Sequence, residues 1–165
     1  MTEGMEPVRV SRATAHDVPL IQQFIRELAE YERAPGEAVA TVEGLTAALF
    51  SDPPQAEVLL AHVGKDPAGF ALFFYNFSTW TGKRGIYLED IFVRPAMRRH
   101  GAGAALFREI ARIAVERDCP RLEWSVLNWN ELAINFYRKI GATAKDDWTT
   151  YRLAGETLRK LAEDR

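Results

Sequence analysis

A single cysteine, Cys119, rules out an internal disulfide, and no histidine neighbours it in sequence to make a reactive thiolate. The three histidines, His16, His62 and His100, match no metal-ligand spacing with one another or with Cys119, so no zinc or iron site is expected. Apolar runs of membrane-spanning length are missing, which excludes a transmembrane helix. Met1–Pro7 holds acids and no apolar core; it is read as a flexible lead and not as a signal peptide, and a cytoplasmic location is expected. Charge of one sign is also scarce. With 21 Lys and Arg against 23 Asp and Glu, the formal net charge is −2, and no general field exists to hold a nucleic-acid backbone or an anionic membrane. No repeat, low-complexity tract or linker interrupts the chain.

What is present is material for a core: 47% of the 165 residues are hydrophobic, enough for one domain spanning 1–165. Val8–Arg12 reads as a strand, and Thr14-Ala15-His16-Asp17 as the cap of a helix running to about Tyr31, with Ile21, Phe24, Ile25 and Leu28 as its buried stripe. Thr41 is placed to cap a second helix that ends before Ser51-Asp52-Pro53-Pro54. The β-rich runs 57–63, 69–77 and 85–93 are separated by short turns and predict an antiparallel meander. A helix-forming run at 106–115, a strand at 121–127, a helix at 130–140 closed by Gly141, and a short strand at Thr149–Leu153 complete the order. The expected class is α/β in the α+β sense, a mixed, mostly antiparallel sheet flanked by helices.

Basic residues concentrate at 94–100, just before Gly101-Ala102-Gly103. Two glycines at alternate positions let the backbone turn tightly and leave N–H groups uncovered, and a following helix adds the positive end of its dipole. Arg98, Arg99 and His100 supply donors at the same place, so the stretch reads as an anion loop for phosphate. Gly101-x-Gly103 with Glu123 twenty positions on imitates a dinucleotide fingerprint. That reading fails because Leu106 stands where a third small residue is needed and residues 94–100 separate the glycines from the strand. A plain glycine-containing helix start with basic surface residues is the bland alternative.

Arg98-x-x-Gly101-x-Gly103 after the strand Ile91-Phe92-Val93 resembles the acetyl-CoA pyrophosphate loop of the GNAT superfamily of N-acetyltransferases. Asn130-Glu131-Leu132-Ala133-Ile134-Asn135-Phe136-Tyr137 followed by Gly141 is similar to the second signature of that superfamily. Glu27-Leu28-Ala29-Glu30-Tyr31-Glu32, Trp80-Thr81-Gly82-Lys83, Tyr87-Leu88-Glu89-Asp90-Ile91-Phe92-Val93 and Trp129-Asn130-Glu131 resemble the diamine (spermidine/spermine) and thialysine acetyltransferase branch. The resemblance covers roughly 8–153 and implies acetyl-CoA as cosubstrate, a small cationic amine as acceptor, and a homodimer. For the cofactor it implies Phe92, Val93, Arg98, Arg99, His100, Gly101, Ala102, Gly103, Ala104, Asn130, Tyr137 and Lys139.

Acetyl transfer to an amine needs a proton acceptor, because an alkylammonium has a reference pKa of about 10.4 and must be neutral to attack. Glu89, directly or through water, is the candidate base, and Tyr137 the candidate acid for the departing thiolate. No covalent nucleophile is evident, so transfer is direct. Glu32, Glu89 and Asp90 would complement a cationic acceptor, with Tyr31, Trp80 and Trp148 as aromatic faces. Competing readings stand beside these. Helical periodicity alone makes Tyr137 a core residue, and Glu32 a solvated helix end. Regular pleating would send Glu89 and Asp90 to opposite faces unless the strand bulges. A GNAT acting on another small molecule or a protein amine, or a non-catalytic acyl-CoA-binding module, is the alternative function.

Overall fold

The structure is a computed structural model and describes residues 6–163. The flexible lead expected over Met1–Pro7 falls mainly outside the described residues. Two compact units follow one another along the chain, the first ending at Ser125 and the second beginning at Val126.

The first unit carries a five-stranded sheet in the order β1 (Val8–Arg12), β2 (Glu57–Val63), β3 (Asp66–Ser78), β4 (Lys83–Val93) and β5 (Leu122–Trp124). Pairings from β1 to β4 are antiparallel, and β5 joins β4 in parallel. This is the meander the turn spacing predicts, followed by a crossover through a helix, as a parallel neighbour requires. Two helices precede β2. α1 (Val18–Tyr31) follows a short 3-10 turn in which the Thr14 amide donates to the Asp17 carboxylate at 2.7 Å. α2 (Val42–Leu49) begins at Thr41, whose hydroxyl oxygen accepts from the Gly44 amide at 3.0 Å.

α1 lays Ile21, Phe24 and Leu28 on one face of the sheet, against Val58, Leu60, Phe70, Leu72 and Phe92. Spacings of three and four keep these side chains on one stripe. Phe24 stacks on Phe70 with centroids 5.6 Å apart, and each such buried side chain contributes roughly 1.5–3 kcal/mol. α3 (Ala102–Glu116) buries Leu106, Phe107, Ile110 and Ile113 and packs along β1 to β4. It starts four residues earlier than the run 106–115 suggests, so Gly103 lies inside its first turn.

The second unit contains α4 (Glu131–Lys139) and α5 (Gly155–Glu163). The Asn130 side chain accepts from the Ala133 amide at 3.2 Å and caps α4. At the other end Gly141, with φ +88, donates to the Arg138 carbonyl at 3.1 Å, and Ala142 donates to the Tyr137 carbonyl at 3.0 Å. Those two bonds are the Schellman closure that a glycine past the helix end favours. The strand expected at Thr149–Leu153 does not form; that segment is irregular and leads into α5, a helix the sequence pattern does not predict. No helix among the described residues is long and apolar enough to cross a membrane.

Candidate active site

β4 bulges where the site residues lie. Leu72 of β3 faces Asp90 while the next residue, Phe73, faces Leu88, so Glu89 is an extra residue without a cross-strand partner. One inserted residue breaks the strict alternation that would send Glu89 and Asp90 to opposite faces. Asp90 thereby lies opposite Leu72, in line with Phe92 on the α1 side of the sheet, half-buried, whereas Glu89 is exposed. Burial pushes the Asp90 carboxyl up to about 6, and the charges of Glu89 and Glu32 add to that shift. Asp90 therefore lies within range of both other carboxylates. Glu32 caps the C-terminus of α1, where the helix dipole disfavours an anion, and partial loss of solvent raises its pKa as well. A cluster that costs electrostatic energy in the free protein suits a cationic ligand that relieves it.

The glycine loop leaves the end of β4. β5 pairs with β4 only from Ile86 to Leu88, so among the described residues β4 has no strand ladder on that side from Glu89 to Val93. Arg99 has φ +71, and Gly101, with φ +85, is the N-cap of α3, a conformation that disfavours a β-branched residue. A Cβ placed on Gly101 meets nothing within 4 Å, and one on Gly103 meets only Val93 Cγ2 at 3.8 Å. Packing within the protein therefore does not demand glycine at 103; open backbone in the first turn of a long helix is what an approaching phosphate needs. His100 turns inward. Its Nδ1 lies 3.2 Å from the Met97 carbonyl and 3.1 Å from that of Arg98; both partners are acceptors, so Nδ1 carries the proton and braces the loop. Arg98 donates through Nε to the Val93 carbonyl at 3.1 Å, and its guanidinium lies 4.8 Å from the centre of the Tyr31 ring.

Glu27 and Arg94 form a pair that no local sequence pattern announces. Arg94 Nε and Nη2 donate to the two Glu27 carboxylate oxygens at 2.9 and 2.8 Å, a bidentate fork joining α1 to the end of β4. The Arg94 guanidinium holds the Glu27 carboxyl below its usual range. Glu27 lies in the 27–32 segment and Arg94 in the basic stretch, 67 positions apart, so nothing local pairs them.

Trp80 stands apart. It sits at the β3–β4 turn, 90% exposed, and seven strand steps from Lys83 to Asp90 at ~3.3 Å each put about 23 Å between that end of β4 and the acidic cluster. Tyr31 is brought close to the cluster and the loop together; Trp80 is not. Tyr137, Asn130, Lys139 and Trp148 belong to the second unit. Tyr137 is half-buried on α4 with its ring 5.8 Å from that of Phe136, and Trp148 is 70% exposed.

A bulged strand carrying two acids runs into a glycine loop that opens a long helix, and the class comes from the family comparison. The acetyltransferase (GNAT) family model matches residues 21–142, and the chain belongs to that family. It is an N-acetyltransferase. Thialysine N-epsilon-acetyltransferase of Sus scrofa is 35% identical over 96% of this chain and 99% of its own length. L-ornithine N5-acetyltransferase NATA1 of Arabidopsis thaliana is 32% identical over 93% of this chain and 87% of that protein. Among solved structures, an integron cassette protein from the mobile metagenome of V. cholerae superposes with a TM-score of 0.80 at 29% identity, covering 98% of this chain and 100% of that one.

Proposed function

We propose that this chain moves an acetyl group from acetyl-CoA directly to a primary amine of a small cationic acceptor, a polyamine, diamine or thialysine-like amino acid. The observation that carries the proposal is the β4 bulge, where Asp90 lies within range of the Glu89 and Glu32 charges at the strand end that leads into the glycine loop. The names of the relatives, thialysine and L-ornithine acetyltransferases, support an acceptor with a cationic side chain.

Acetyl-CoA, when bound, supplies the thioester carbonyl and the thiol leaving group. The residues fit it: the first bond of α3 runs from the Ala105 amide to the Gly101 carbonyl, so the amides of Ala102, Gly103 and Ala104 have no acceptor within the helix, with Gly101 turning the chain, Arg98 and Arg99 adding charge, His100 bracing the loop and Phe92 and Val93 on the strand that leads into it. Asn130, Tyr137 and Lys139 are the cofactor contacts assigned to α4 on the signature. Glu32 and Asp90 hold the ammonium by charge. Glu89, exposed in the bulge, takes the proton of the attacking nitrogen, directly or through water. Tyr137 holds a proton at its hydroxyl for the departing sulfur, and its role rests on the Asn-x-x-Ala-x-x-Phe-Tyr signature. Tyr31 and Trp148 are the aromatic residues assigned to the acceptor side; Trp80, about 23 Å along β4 from the acidic cluster, does not join it within one chain. The protein acts as a homodimer in this reading; Tyr75, Phe77 and Trp80 are exposed by 37, 65 and 90% along one hairpin and support a second copy. Light scattering that returned a monomer mass at micromolar concentration would remove that part.

The test is thiol release from acetyl-CoA across an amine panel of diamines, ornithine, thialysine and neutral amines of equal length. Basic acceptors are expected to turn over with the lower KM, and Glu89→Gln to reduce turnover most below the pKa of the amine. Equal rates for neutral and cationic amines, or no thiol release with any of them, would overturn the proposal.

A further inference from the structure

α1 grips the β4–α3 connection at two points one helical turn apart. At the first, Glu27 holds Arg94, which also donates to the Pro67 carbonyl at 3.1 Å and lies 4.7 Å from the centre of the Phe24 ring. At the second, four residues on along both segments, Tyr31 carries Arg98 on its ring at 4.8 Å while Arg98 Nε is tied to the Val93 carbonyl at 3.1 Å. Residues four apart lie on one face of a helix, which is why Glu27 and Tyr31 reach the same connection. Tyr31 is itself supported: its ring lies 6.3 Å from Phe92 and packs against the core under α1. Arg98 is thus fixed between an aromatic face and a main-chain carbonyl. Its neighbour Arg99 has φ +71, a conformation a non-glycine residue keeps only where its surroundings enforce it.

We propose that Tyr31 is a positioning residue for the acyl-CoA loop: its ring holds Arg98, and so the turn from Arg98 to Gly101, in the conformation that binds the anionic cosubstrate. The proposal rests on the acyl-CoA reading of that loop. An ammonium approaching the ring face that Arg98 covers would meet a guanidinium instead of π density, so that face serves the loop and not the acceptor. Glu32 follows Tyr31 directly, which places the acceptor charge and the loop support on one turn of α1.

Calorimetry with CoA, the product, tests this on the full chain, with thermal melts as the check on folding. Tyr31→Phe, which keeps the ring face, is expected to bind CoA within about twofold of wild type. Tyr31→Leu is expected to bind about fivefold more weakly, about 1 kcal/mol at 1.4 kcal/mol per decade, which is the scale of a cation–π contact. Arg98→Ala weakens binding at least as much, and the Tyr31→Leu/Arg98→Ala double variant binds no worse than Arg98→Ala alone. Tyr31→Met carries the same expectation as Tyr31→Leu if the latter melts below assay temperature. In steady-state kinetics Tyr31→Leu raises the KM for acetyl-CoA. Unchanged CoA affinity in Tyr31→Leu and Tyr31→Met, a rise confined to the amine KM, or fully additive losses would overturn the assignment. Failure of wild-type protein to bind CoA would instead remove the acyl-CoA reading itself, and this proposal with it.

Discussion

Replacing Asp90 with asparagine separates the electrostatic cost of the acidic cluster from its use. In the folded protein the Asp90 carboxyl is pushed up to about 6, chiefly by burial and then by Glu89 and Glu32, against an ordinary value of 3.8. A raised carboxyl pKa means that the native state binds more protons than the unfolded chain between those values, so stability falls as pH rises through that window. Above pH 6 the penalty is complete; a gap of 6 minus 3.8 at 1.36 kcal/mol per unit sets it at about 3 kcal/mol. Asparagine has no charge to desolvate. Asp90→Asn should therefore stabilise the fold at pH 8 relative to pH 4 by roughly 2.5 kcal/mol, or some 5–10 °C in Tm for a chain of this length. Hydrogen bonds that Asn gains or loses shift both pH values alike and cancel in the difference. The assay is thermal and urea unfolding of wild type and variant at pH 4, 6 and 8, beside the amine KM, which should rise in the variant while CoA affinity holds. A stability difference independent of pH would refute the burial argument. A pH-dependent gain with an unchanged amine KM would leave the buried charge real but unused.

Gly101→Val and Gly103→Val should each weaken CoA binding by calorimetry, the first through strain at φ +85 and the second by covering the opened turn; unchanged affinity in both would remove the phosphate-loop assignment. Tyr137→Phe keeps the ring and deletes the hydroxyl, so the melt should stay near wild type while turnover falls by roughly two to four decades where chemistry is limiting. Wild-type turnover under those conditions would return Tyr137 to packing. Glu27→Gln breaks the fork to Arg94 and should cost about 1–2 kcal/mol at neutral pH. Because Arg94 lowers the Glu27 pKa, that contribution is present above the unfolded pKa and is lost as pH falls through the folded value, so the variant and wild type should converge in acid denaturation.

Local chemistry was legible in the chain because its causes lie a few residues apart. Thr41 and Gly44, Asp17 and Thr14, and Gly141 after α4 act across three or four positions, and each cap or terminator falls where its spacing says. The glycine pair with its arginines, and the tyrosine signature, are likewise contiguous words, which is why the family and the candidate residues emerged from the sequence alone. Thr149–Leu153 misled for the opposite reason: an alternating segment becomes a strand only when a neighbour offers a ladder, and none does among the described residues. The bulge at Glu89 was decided by the register of β3 against β4, a pairing that no window on β4 contains. Burial decided the upward shift of Asp90, and packing across 67 residues made the union of Glu27 with Arg94 and of Tyr31 with Arg98. Residue type and spacing determined which groups were available for acyl transfer. Only the folded sheet, by setting register and excluding water, decided which of them meet and what charge each carries there.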